Sequence, residues 1–496
     1  MHEYNRKIGR LQNSSNANPM ASRKDDEVMI VRRMLEQGYQ VELDAVRELL
    51  DQEGEPHSVL RVLEAVMKTK AKQRGKHFVI GSKDIKPFLH SGNDLEDAER
   101  ELVLDFEVLS DPTSAISPTT DTSGYVLMFR NRLERMSSLI RGRPDFFQIE
   151  KLNAIKTPLS GRKVLAKVVG LVASKKISSD YVSLTLEDDS GYLRLMCTGD
   201  AIRKMDEVLI DEFVLVEVES QPRGYYAKNI YHLDVPERAK RTADKKIYAM
   251  FLSDLHVGSP DFDETSFQKM IDWINGDLGE LEVVSRIGYL VLNGDLIENP
   301  LAGDGRLSEH DVRSSYDVLA GYLENIRRPM KIFLTPGDTD ATRIALPQPA
   351  IIRKYAKRLY EMKNVVMLGN PSMVRLDGVN VLLYHGQSLD EVFRQLQSVS
   401  VSRPSTGMRA LLRARHVAPT YGGLTLLAPE KDDLLIIDPI PDIMHCGHVG
   451  IPDEEVYRGT LLLSTPSWIA GTKSAVRSQG KAALVDLSTF DVLWRA

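Results

Sequence analysis

Apolar residues recur at helical spacing over residues 25–90, in three runs that charged and polar positions separate. These apolar residues are Val28, Ile30, Val31, Met34 and Leu35, then Leu43, Val46, Leu49 and Leu50, then Val59, Leu60, Val62, Leu63, Val66 and Met67. Such spacing places them on one face of each helix, where they can bury against one another. Ser82 caps a short fourth helix. The pattern predicts a small all-helical module, which either docks onto a partner or packs on the rest of the chain.

Polar segments flank this module on both sides. Residues 1–24 are rich in Asn and Ser and predict a disordered tail, because they offer few apolar groups to bury. Residues 91–124 combine an acidic stretch with the Pro/Ser/Thr-rich segment Asp111–Ser123 and predict a linker. Residues 125–158 form a connecting segment that begins with an amphipathic, arginine-bearing helix over Tyr125–Arg141.

From residue 159 to residue 240, apolar and polar positions alternate in short runs typical of half-buried strands. The predicted strands are Lys163–Ala173, Tyr181–Glu187, Tyr192–Cys197, Glu212–Ser220 and Tyr225–Val235. Five short strands in so few residues predict a small closed barrel, for which the OB-fold is the natural candidate. The tyrosines and basic residues of this barrel either contact single-stranded nucleic acid or form an ordinary solvated surface.

Residues 245–496 alternate between strand-like apolar runs and helical stretches, and they predict an α/β sandwich. Three of the apolar runs, Ile247–Leu252, Ile287–Leu292 and Leu434–Met444, precede motifs that contain Asp or His. Loops that follow strands at the rim of a sheet commonly carry functional side chains. The chain is therefore predicted to be a multidomain α/β protein, with a helical module, a β-barrel and a sandwich whose loops hold the functional site.

The composition narrows the class of protein. The chain has 496 residues, too many for one hydrophobic core, and its 42% hydrophobic and 27% charged residues are typical of a soluble globular protein. Its net charge of −6 excludes a globally basic nucleic-acid binder but allows a local basic patch. Cys197 and Cys446 are its only cysteines, and no apolar stretch has transmembrane length. We expect reduced thiols, a cytoplasmic location and no contact with a membrane.

Carboxylates and imidazoles follow the apolar runs of the sandwich in a fixed order. The candidate residues are Asp254 and His256 in Asp-x-His, Asp295 in Gly-Asp, Asp338 in Pro-Gly-Asp, His385 in His-Gly and His448 in Gly-His. Each motif alone is commonly a solvated loop, a turn or a core histidine, but the ordered series indicates one site. Carboxylates and neutral imidazoles bind hard and borderline divalent cations, and pairs of such ions hydrolyse phosphate esters. If strand geometry continues, Asp254 and His256 project from the same side.

This series resembles the calcineurin-like metallophosphoesterase superfamily. More narrowly, the chain from Tyr125 onward resembles the small subunit of the archaeal family-D replicative DNA polymerases. The narrower resemblance rests on Tyr125–Arg143, Met408–Gly422, Leu427–Glu430, Pro441–Ile443 and Tyr457–Gly459. The order of helical module, linker, barrel and phosphoesterase domain is also that of this family, which the helical module matches only in outline.

The resemblance implies a 3′-to-5′ exonuclease that proofreads for a large polymerising subunit and acts on single-stranded 3′ ends of DNA. It also implies two divalent metal ions, Mn²⁺ or Mg²⁺. By this resemblance, Asp254, His256 and Asp295 hold one ion, and Asp295 is shared with a second ion that Asp338, His385 and His448 hold. For the helical module, a sliding clamp, a primase or no further partner stay open.

Three positions depart from the motifs of the family. Asp338 replaces a neutral amide ligand, and Thr339 replaces a histidine that assists the transition state. Gly450 stands where the closing Gly-His-x-His motif has a histidine ligand, and His445 lies just upstream of that position. A hydroxyl cannot replace imidazole as a proton donor near pH 7, and losing such a group commonly costs about 10²–10⁴-fold in rate. The number of bound ions therefore stays open at two, one or none.

Two functions from different classes stay open within the family. One is an active metal-dependent exonuclease of a polymerase holoenzyme. The other is a non-catalytic scaffold that links the polymerising subunit to DNA and to other replication proteins. A third, an unrelated phosphatase for small molecules, leaves the barrel, the helical module and the Arg409–Tyr421 segment without a role.

Overall fold

The computed structural model describes residues 19–36, 39–53, 59–60, 62–63, 66–67, 79–85, 102–117, 123–141, 143–144, 146–156, 163–178, 181–298, 309–327, 329–470 and 480–495. These residues fall into two compact units. The first contains the described residues up to Val103 together with Ile271–Arg286, and the second contains Leu104–Met270 and the residues from Ile287 onward. Within these ranges, every helix is too short or too polar to span a bilayer.

The first unit contains the helices of the N-terminal module. Its elements are the helices Pro19–Glu36, Leu43–Glu53, Ser82–Ile85 and Leu281–Val284 and the parallel strand pair Gln40–Val41 and Val79–Ile80. Apolar positions of all three predicted runs pack into one core, which includes Ile30, Met34, Val46, Leu49, Val59 and Leu63. The helical periodicity thus corresponds to real packing. Among the described residues of the module, the short strand pair has no counterpart in the prediction.

The predicted tail over residues 1–24 is wrong at its C-terminal end. The first helix begins at Pro19, while residues 1–18 lie outside the described ranges. Proline is favoured at the first position of a helix because its N–H group would be unsatisfied there in any case. The prediction of a tail rested on the Asn- and Ser-rich composition and did not take account of this proline.

The predicted linker over residues 91–124 is also wrong for most of its described part. Phe106–Ser110 forms a strand that pairs antiparallel with Ser372–Leu376, and Pro112–Ala115 forms a short helix. Asp111 caps this helix by accepting a backbone N–H hydrogen bond at 2.9 Å. A five-residue strand carries little signal of its own, because its stability comes from a partner strand far along the chain.

The connecting helix and the barrel follow the prediction closely. The helix is Ser123–Leu139, and a short strand, Ile149–Glu150, and a 3₁₀ turn, Leu152–Ala154, lead into the barrel. The five barrel strands are Val164–Ile177, Val182–Asp188, Gly191–Cys197, Phe213–Gln221 and Gly224–His232, with a helix at Asp200–Lys204 and a 3₁₀ turn at Met205–Glu207.

The first barrel strand pairs with both the second and the fourth, which closes the barrel, and the third pairs in parallel with the fifth. At the turn between the second and third strands, the Asp188 carboxylate accepts a hydrogen bond from the Ser190 N–H at 2.7 Å. Inward-facing apolar side chains fill the interior, among them Val168, Leu184, Leu195, Val216 and Ile230. The closed five-stranded barrel that the alternation predicts is therefore confirmed.

Two six-stranded sheets build the sandwich. The first sheet has the order Val365–Met367, Lys331–Thr335, Ile287–Asn293, Tyr248–Leu252, Ala482–Asp486 and Val492–Arg495, and its first four strands are parallel. The second has the order Asp453–Tyr457, Thr460–Ser464, Ile443–Cys446, Val379–Leu383, Ser372–Leu376 and Phe106–Ser110. Phe251 of the first sheet packs against His445 of the second, so the sheets face each other.

Helices and long loops connect these strands. The helices are Glu264–Ile274, Glu309–Glu324, Lys357–Glu361, Leu389–Gln395 and Pro404–Ala414. The apolar run Leu434–Met444 is a strand only from Ile443, because Pro439 and Pro441 cannot donate to a β-ladder. Leu435 and Ile437 instead bury in the core that the last of these helices helps to form.

Candidate metal centre

The six side chains that sequence analysis assigns to one site do come together. They form two groups, in each of which one ligand atom per residue lies within 4.8 Å of the others: Asp254, His256 and Asp295, and Asp338, His385 and His448. The groups are adjacent, because Nε2 of His385 lies 3.3 Å from Oδ2 of Asp295. Asp295 therefore stands between the two groups, where a shared ligand would have to lie.

Four of the six residues have left-handed backbone conformations, which non-glycine residues rarely adopt. Their φ angles are 53° at Asp254, 51° at His256, 51° at Asp295 and 63° at His448. Asp254 and His256 do not continue a strand, since the strand ends at Leu252, so the geometry from which a shared side was expected does not apply. The two residues nevertheless belong to one ligand group. The chain turns at each residue, and both N–H groups donate at 2.9 Å to backbone carbonyls of the loop that carries Asp295. Residues held in such conformations cluster at functional sites.

Two glycines permit the close approach of the two groups. Gly294 has a φ of 84°, and a Cβ atom at this position would collide with the ring of His385. A Cβ atom at Gly337 would collide with the carboxylate of Asp295. Packing inside the site therefore requires glycine both before Asp295 and before Asp338. At Gly294 the backbone conformation requires it as well.

His385 is fully buried, and the backbone orients its ring. Its Nδ1–H donates to the Asn293 carbonyl at 3.0 Å, which leaves the Nε2 lone pair facing Asp295. This buried Nε2 atom makes no hydrogen bond among the described residues. Burial alone would lower the pKa of His385, but the charges of Asp295, Asp254 and Asp338 raise it well above its usual value. The field at this nitrogen favours a positive charge, which a divalent cation supplies as well as a proton does.

The site shifts the pKa values of Asp254 and Asp295, the two carboxylates of the first group, in opposite directions. Burial raises the pKa of Asp254, and the charge of Asp295 raises it further against the effect of His385. Burial also disfavours ionised Asp295, but the charges of His385 and His256 outweigh it and lower the pKa of Asp295. Nδ1 of His256 is another buried ring nitrogen that finds no hydrogen-bond partner within the described ranges, and it lies 3.8 Å from the Glu298 carboxylate. Orphaned nitrogens beside buried carboxylates are the donor set that divalent cations require.

Carboxylates flank both ring nitrogens of His448. Its Nδ1 lies 3.1 Å from Oδ2 of Asp338, and its Nε2 lies 3.3 Å from Oδ2 of Asp390. Burial opposes ionisation of the ring, but these two hydrogen bonds raise the pKa of His448 to about 9. Sequence analysis missed Asp390, whose only signal is its place in the first turn of the helix that follows the His385-Gly386 motif.

Thr339 stabilises the position of a ligand and supplies no acid for catalysis. Its N–H and its hydroxyl lie 2.9 Å and 3.0 Å from Oδ1 of Asp295, and the hydroxyl also lies 2.8 Å from the Ile297 carbonyl. The hydroxyl is thus engaged by acceptors of the fold, and its pKa is far too high for proton donation near pH 7. The departure noted in the sequence is therefore a real loss of imidazole from the site.

His445 does not compensate for the glycine at position 450. It is fully buried, its Nε2 lies 2.9 Å from Oγ1 of Thr465, and its ring packs against Phe251. Burial lowers the pKa of His445 to about 3, which is the behaviour of a core histidine. At Gly450 a Cβ atom would lie 3.5 Å from Cβ of Ser467, so there is space for a side chain, but the φ of 68° is a conformation that non-glycine residues rarely adopt.

A sandwich with paired carboxylate–imidazole groups after its strands is the architecture that sequence analysis expects of a metallophosphoesterase domain. Residues 249–452 match the family model of the DNA polymerase alpha/epsilon B-subunits. The DNA polymerase II small subunit of Methanothermobacter thermautotrophicus is 32% identical over 463 residues, which cover 90% of this chain and 94% of that protein. The chain therefore belongs to the family of DNA polymerase II small subunits, which confirms the resemblance found in the motifs.

Other relatives are longer than the part that matches. The DNA polymerase II small subunit of Pyrococcus furiosus is 33% identical over 385 residues, which are 74% of this chain, and the chain spans about 62% of the length of that protein. Among solved structures, an archaeal phosphodiesterase covers 50% of this chain at 13% identity with a TM-score of 0.27. A structural similarity this slight supports no conclusion about the chain.

Proposed function

We propose that this chain is the small accessory subunit of an archaeal replicative DNA polymerase and acts in the cytoplasm together with a larger polymerising subunit. We further propose that its sandwich binds two divalent cations and hydrolyses the terminal phosphodiester at single-stranded 3′ ends of DNA, at a reduced rate. Family membership supports the first part. The observation that carries the second is the pair of adjacent ligand groups that meet at Asp295.

The donor set fits two hard or borderline cations such as Mn²⁺ or Mg²⁺. One ion would be held by Asp254, His256 and Asp295, and the other by Asp338, His385 and His448 with Asp295 shared. When bound, such ions polarise a phosphodiester and lower the pKa of a coordinated water. The substitution of an amide ligand by Asp338 adds negative charge toward the phosphate of the substrate.

The chain's own groups prepare the ligands for this task. The Asn293 carbonyl fixes the His385 ring so that Nε2 faces the site. The Asp390 carboxylate contacts Nε2 of His448, which leaves Nδ1 of that ring facing Asp338. The Thr339 N–H holds the Asp295 carboxylate at the junction of the groups. Without an imidazole at position 339 the leaving oxygen must take its proton from water, so we expect a rate about 10²–10⁴-fold below that of a complete site.

The test uses the purified full-length chain, Mn²⁺ and a 5′-labelled single-stranded oligonucleotide. Stepwise shortening from the 3′ end is expected. Asp295→Ala should abolish it and should also lower the number of bound Mn²⁺ ions, measured by elemental analysis after desalting. The exposed carboxylate variant Asp491→Ala is the matched control and should keep both properties. Full metal binding by Asp295→Ala would contradict the assignment of the ligands.

The second candidate is a non-catalytic scaffold for the polymerising subunit. The missing imidazole at Thr339 and the missing side chain at Gly450 favour it. A scaffold should co-purify with the large subunit whether or not Asp295 is replaced, and it should leave DNA intact alone and in the complex. Absence of cleavage together with a stable complex would establish the scaffold, and absence of both would contradict the polymerase role.

The unrelated phosphatase is disfavoured, since the chain belongs to a family of polymerase small subunits. Contacts of the helical module with a sliding clamp or a primase stay predictions. Co-purification of the complete chain and of a variant that lacks residues 1–90 with those candidate partners would test them.

A further inference from the structure

We propose that a basic cavity between the barrel and the sandwich binds phosphate groups of a DNA strand, at a site separate from the metal centre. The cavity has a volume of about 390 Å³. Its lining carries five cationic side chains, Arg143, Lys167, Lys204, Arg413 and Arg458. The identification of the anion as DNA rests on the proposed function, whereas the anion site itself rests on the cavity.

Three of the segments that single out this family in the sequence each send an arginine to this cavity. Arg143 ends the segment that begins at Tyr125, Arg413 lies in Met408–Gly422, and Arg458 is the centre of Tyr457-Arg-Gly. Their convergence from distant parts of the chain gives the three segments a common role.

Arg458 lies at a turn position where an arginine is unusual. It has a φ of 47° and precedes Gly459, with a φ of 82°, in the two-residue turn between the strands Asp453–Tyr457 and Thr460–Ser464. Such turns favour Asn-Gly or Asp-Gly, because a larger residue at positive φ is strained. The guanidinium group donates to the Val235 carbonyl at 2.6 Å, which holds it at the cavity.

His232 presents an unsatisfied polar atom at the same cavity. The side chain is 6% exposed, and its Nδ1 lies 2.6 Å from Oε1 of Glu212. Because a carboxylate can only accept, Nδ1 carries the proton in this hydrogen bond. Nε2 is buried and makes no hydrogen bond among the described residues, with the nearest carboxylate, Glu207, 3.9 Å away. Nε2 is then an acceptor, which a hydration water of a bound phosphate would satisfy by donating to it.

The charge around the cavity favours an anion. The lining has five cations and two carboxylates, Glu217 and Asp234. Arg458 pairs with Asp234 at 3.0 Å, and Arg413 pairs with Glu207 at 2.8 Å, so the cations still outnumber the carboxylates. Burial lowers the pKa of Arg415 to about 10, and the charge of Arg143 lowers it further against the effect of Asp438 and Asp234. This excess of positive charge lies in a chain whose overall charge is −6. Local concentration of cations in a polar cavity is how phosphate groups are recognised.

The cavity and the metal centre lie at opposite ends of two neighbouring parallel strands of the second sheet. The strands Ile443–Cys446 and Thr460–Ser464 run parallel, with Ile443 opposite Leu461. The loop of His448 follows the end of the first strand, whereas Arg458 precedes the start of the second. The two sites are therefore separated by the length of a four-residue strand or more, roughly 13 Å.

The test measures binding of a labelled twelve-nucleotide poly(dT) strand to the full-length chain by fluorescence anisotropy, in EDTA so that no metal ion contributes. Lys204→Gln and Arg458→Gln should each weaken binding about threefold to tenfold, and each should lower the slope of log K against log salt by about 1. Glu217→Gln should tighten binding, a gain that unfolding cannot imitate. Lys357→Gln removes an exposed lysine elsewhere and should leave binding unchanged. Melting temperatures confirm that each variant is folded.

Calorimetry with inorganic pyrophosphate forms a second arm, because a free phosphate compound could supply the same oxyanions. Variants that bind the DNA strand like the unaltered chain would overturn the proposal, as would an unaltered chain that binds no DNA but binds pyrophosphate through Lys204 and Arg458. DNA cleavage with Mn²⁺ is scored separately. Failure of the metal centre and failure of the cavity therefore give different results.

Discussion

Two buried clusters of the second unit use the same residue types in opposite ways. In the metal centre, acidic neighbours raise the pKa of fully buried His385, and its Nε2 has no hydrogen-bond partner in the part of the chain that the structure describes. In the other cluster, His416 lies 3.0 Å and 3.1 Å from the two oxygens of Asp433, which also accepts a hydrogen bond from Nε of Arg132 at 2.6 Å. Burial, together with the charge of Arg132, lowers the pKa of His416 to about 4.

The difference lies in the source of the cation. Arg132 is supplied by the fold, and its Nη1 also donates to the Pro419 carbonyl at 2.7 Å, while the Ala418 N–H donates to Nδ1 of His416 at 3.0 Å. A guanidinium group thus balances the buried carboxylate of Asp433. The metal centre leaves ring nitrogens and carboxylates facing one another, which suits a cation from outside. Residue type alone does not separate a metal site from a structural ion pair, but a guanidinium group in contact with the buried carboxylate does.

The largest expected effect comes from completing the metal centre. Thr339→His combined with Gly450→His should raise cleavage of single-stranded DNA in Mn²⁺ by about 10²–10⁴-fold, because an acid near pH 7 and a missing ligand are restored. The measurement is the single-turnover rate on a 5′-labelled oligonucleotide. Thr339→Asn with Gly450→Ala is the control, since it changes the same positions without adding imidazole. An unchanged rate in the histidine variant would mean that the site is limited by something other than these two positions.

The second largest effect is expected in the cluster of Arg132, Asp433 and His416. Arg132→Met should lower the free energy of unfolding by about 3–5 kcal/mol, because it leaves Asp433 buried without its charged partner. Urea unfolding followed by circular dichroism measures this change. Arg130→Met, on the exposed face of the same helix, should stay within about 0.5 kcal/mol of the unaltered chain. Equal stability of the two variants would show that Asp433 does not depend on a resident cation.

A third prediction concerns pH. The pKa of His416 is depressed to about 4 in the folded protein, below its value of about 6.5 in the unfolded chain. The unfolded chain therefore takes up the proton first, so the stabilisation is complete above pH 6.5 and is lost as the pH falls toward 4. The loss should reach about 3 kcal/mol. Urea titrations across this range measure it, and His416→Gln should flatten this part of the profile. An identical slope in that variant would assign the pH dependence to other groups.

The smallest expected effect is that of replacing Asp390, which contacts His448. Asp390→Asn should weaken Mn²⁺ binding by about tenfold, because the carboxylate that orients His448 becomes a weaker acceptor. Isothermal titration calorimetry gives the affinity of each ion separately. Only the ion assigned to His448 should be affected, and Asp491→Asn should affect neither. Equal weakening of both ions would indicate a general distortion of the loops.

The convergence of the six candidate residues was predictable because each of them follows a strand that the apolar pattern marks. Strand ends meet at the edge of a sheet, so residues as far apart as Asp254 and His448 could be assigned to one site. The local geometry was not predictable, because it depends on left-handed turns at those same residues. Asp390 was missed since it contributes only a hydrogen bond, and the strand Phe106–Ser110 was missed since its pairing partner is distant.

The amino-acid sequence by itself determined the periodic elements and the closed barrel, because these follow from the local alternation of polar and apolar residues. It indicated the six candidate ligands through the order of the Asp and His motifs and their resemblance to a known family. It also determined that imidazole is missing at positions 339 and 450. Only the tertiary structure decided that His445 faces the core, that Thr339 holds Asp295, and that Arg143, Arg413 and Arg458 share one cavity. Those outcomes depend on contacts between residues far apart in the chain, and local pattern carries no information about which distant side chains will meet.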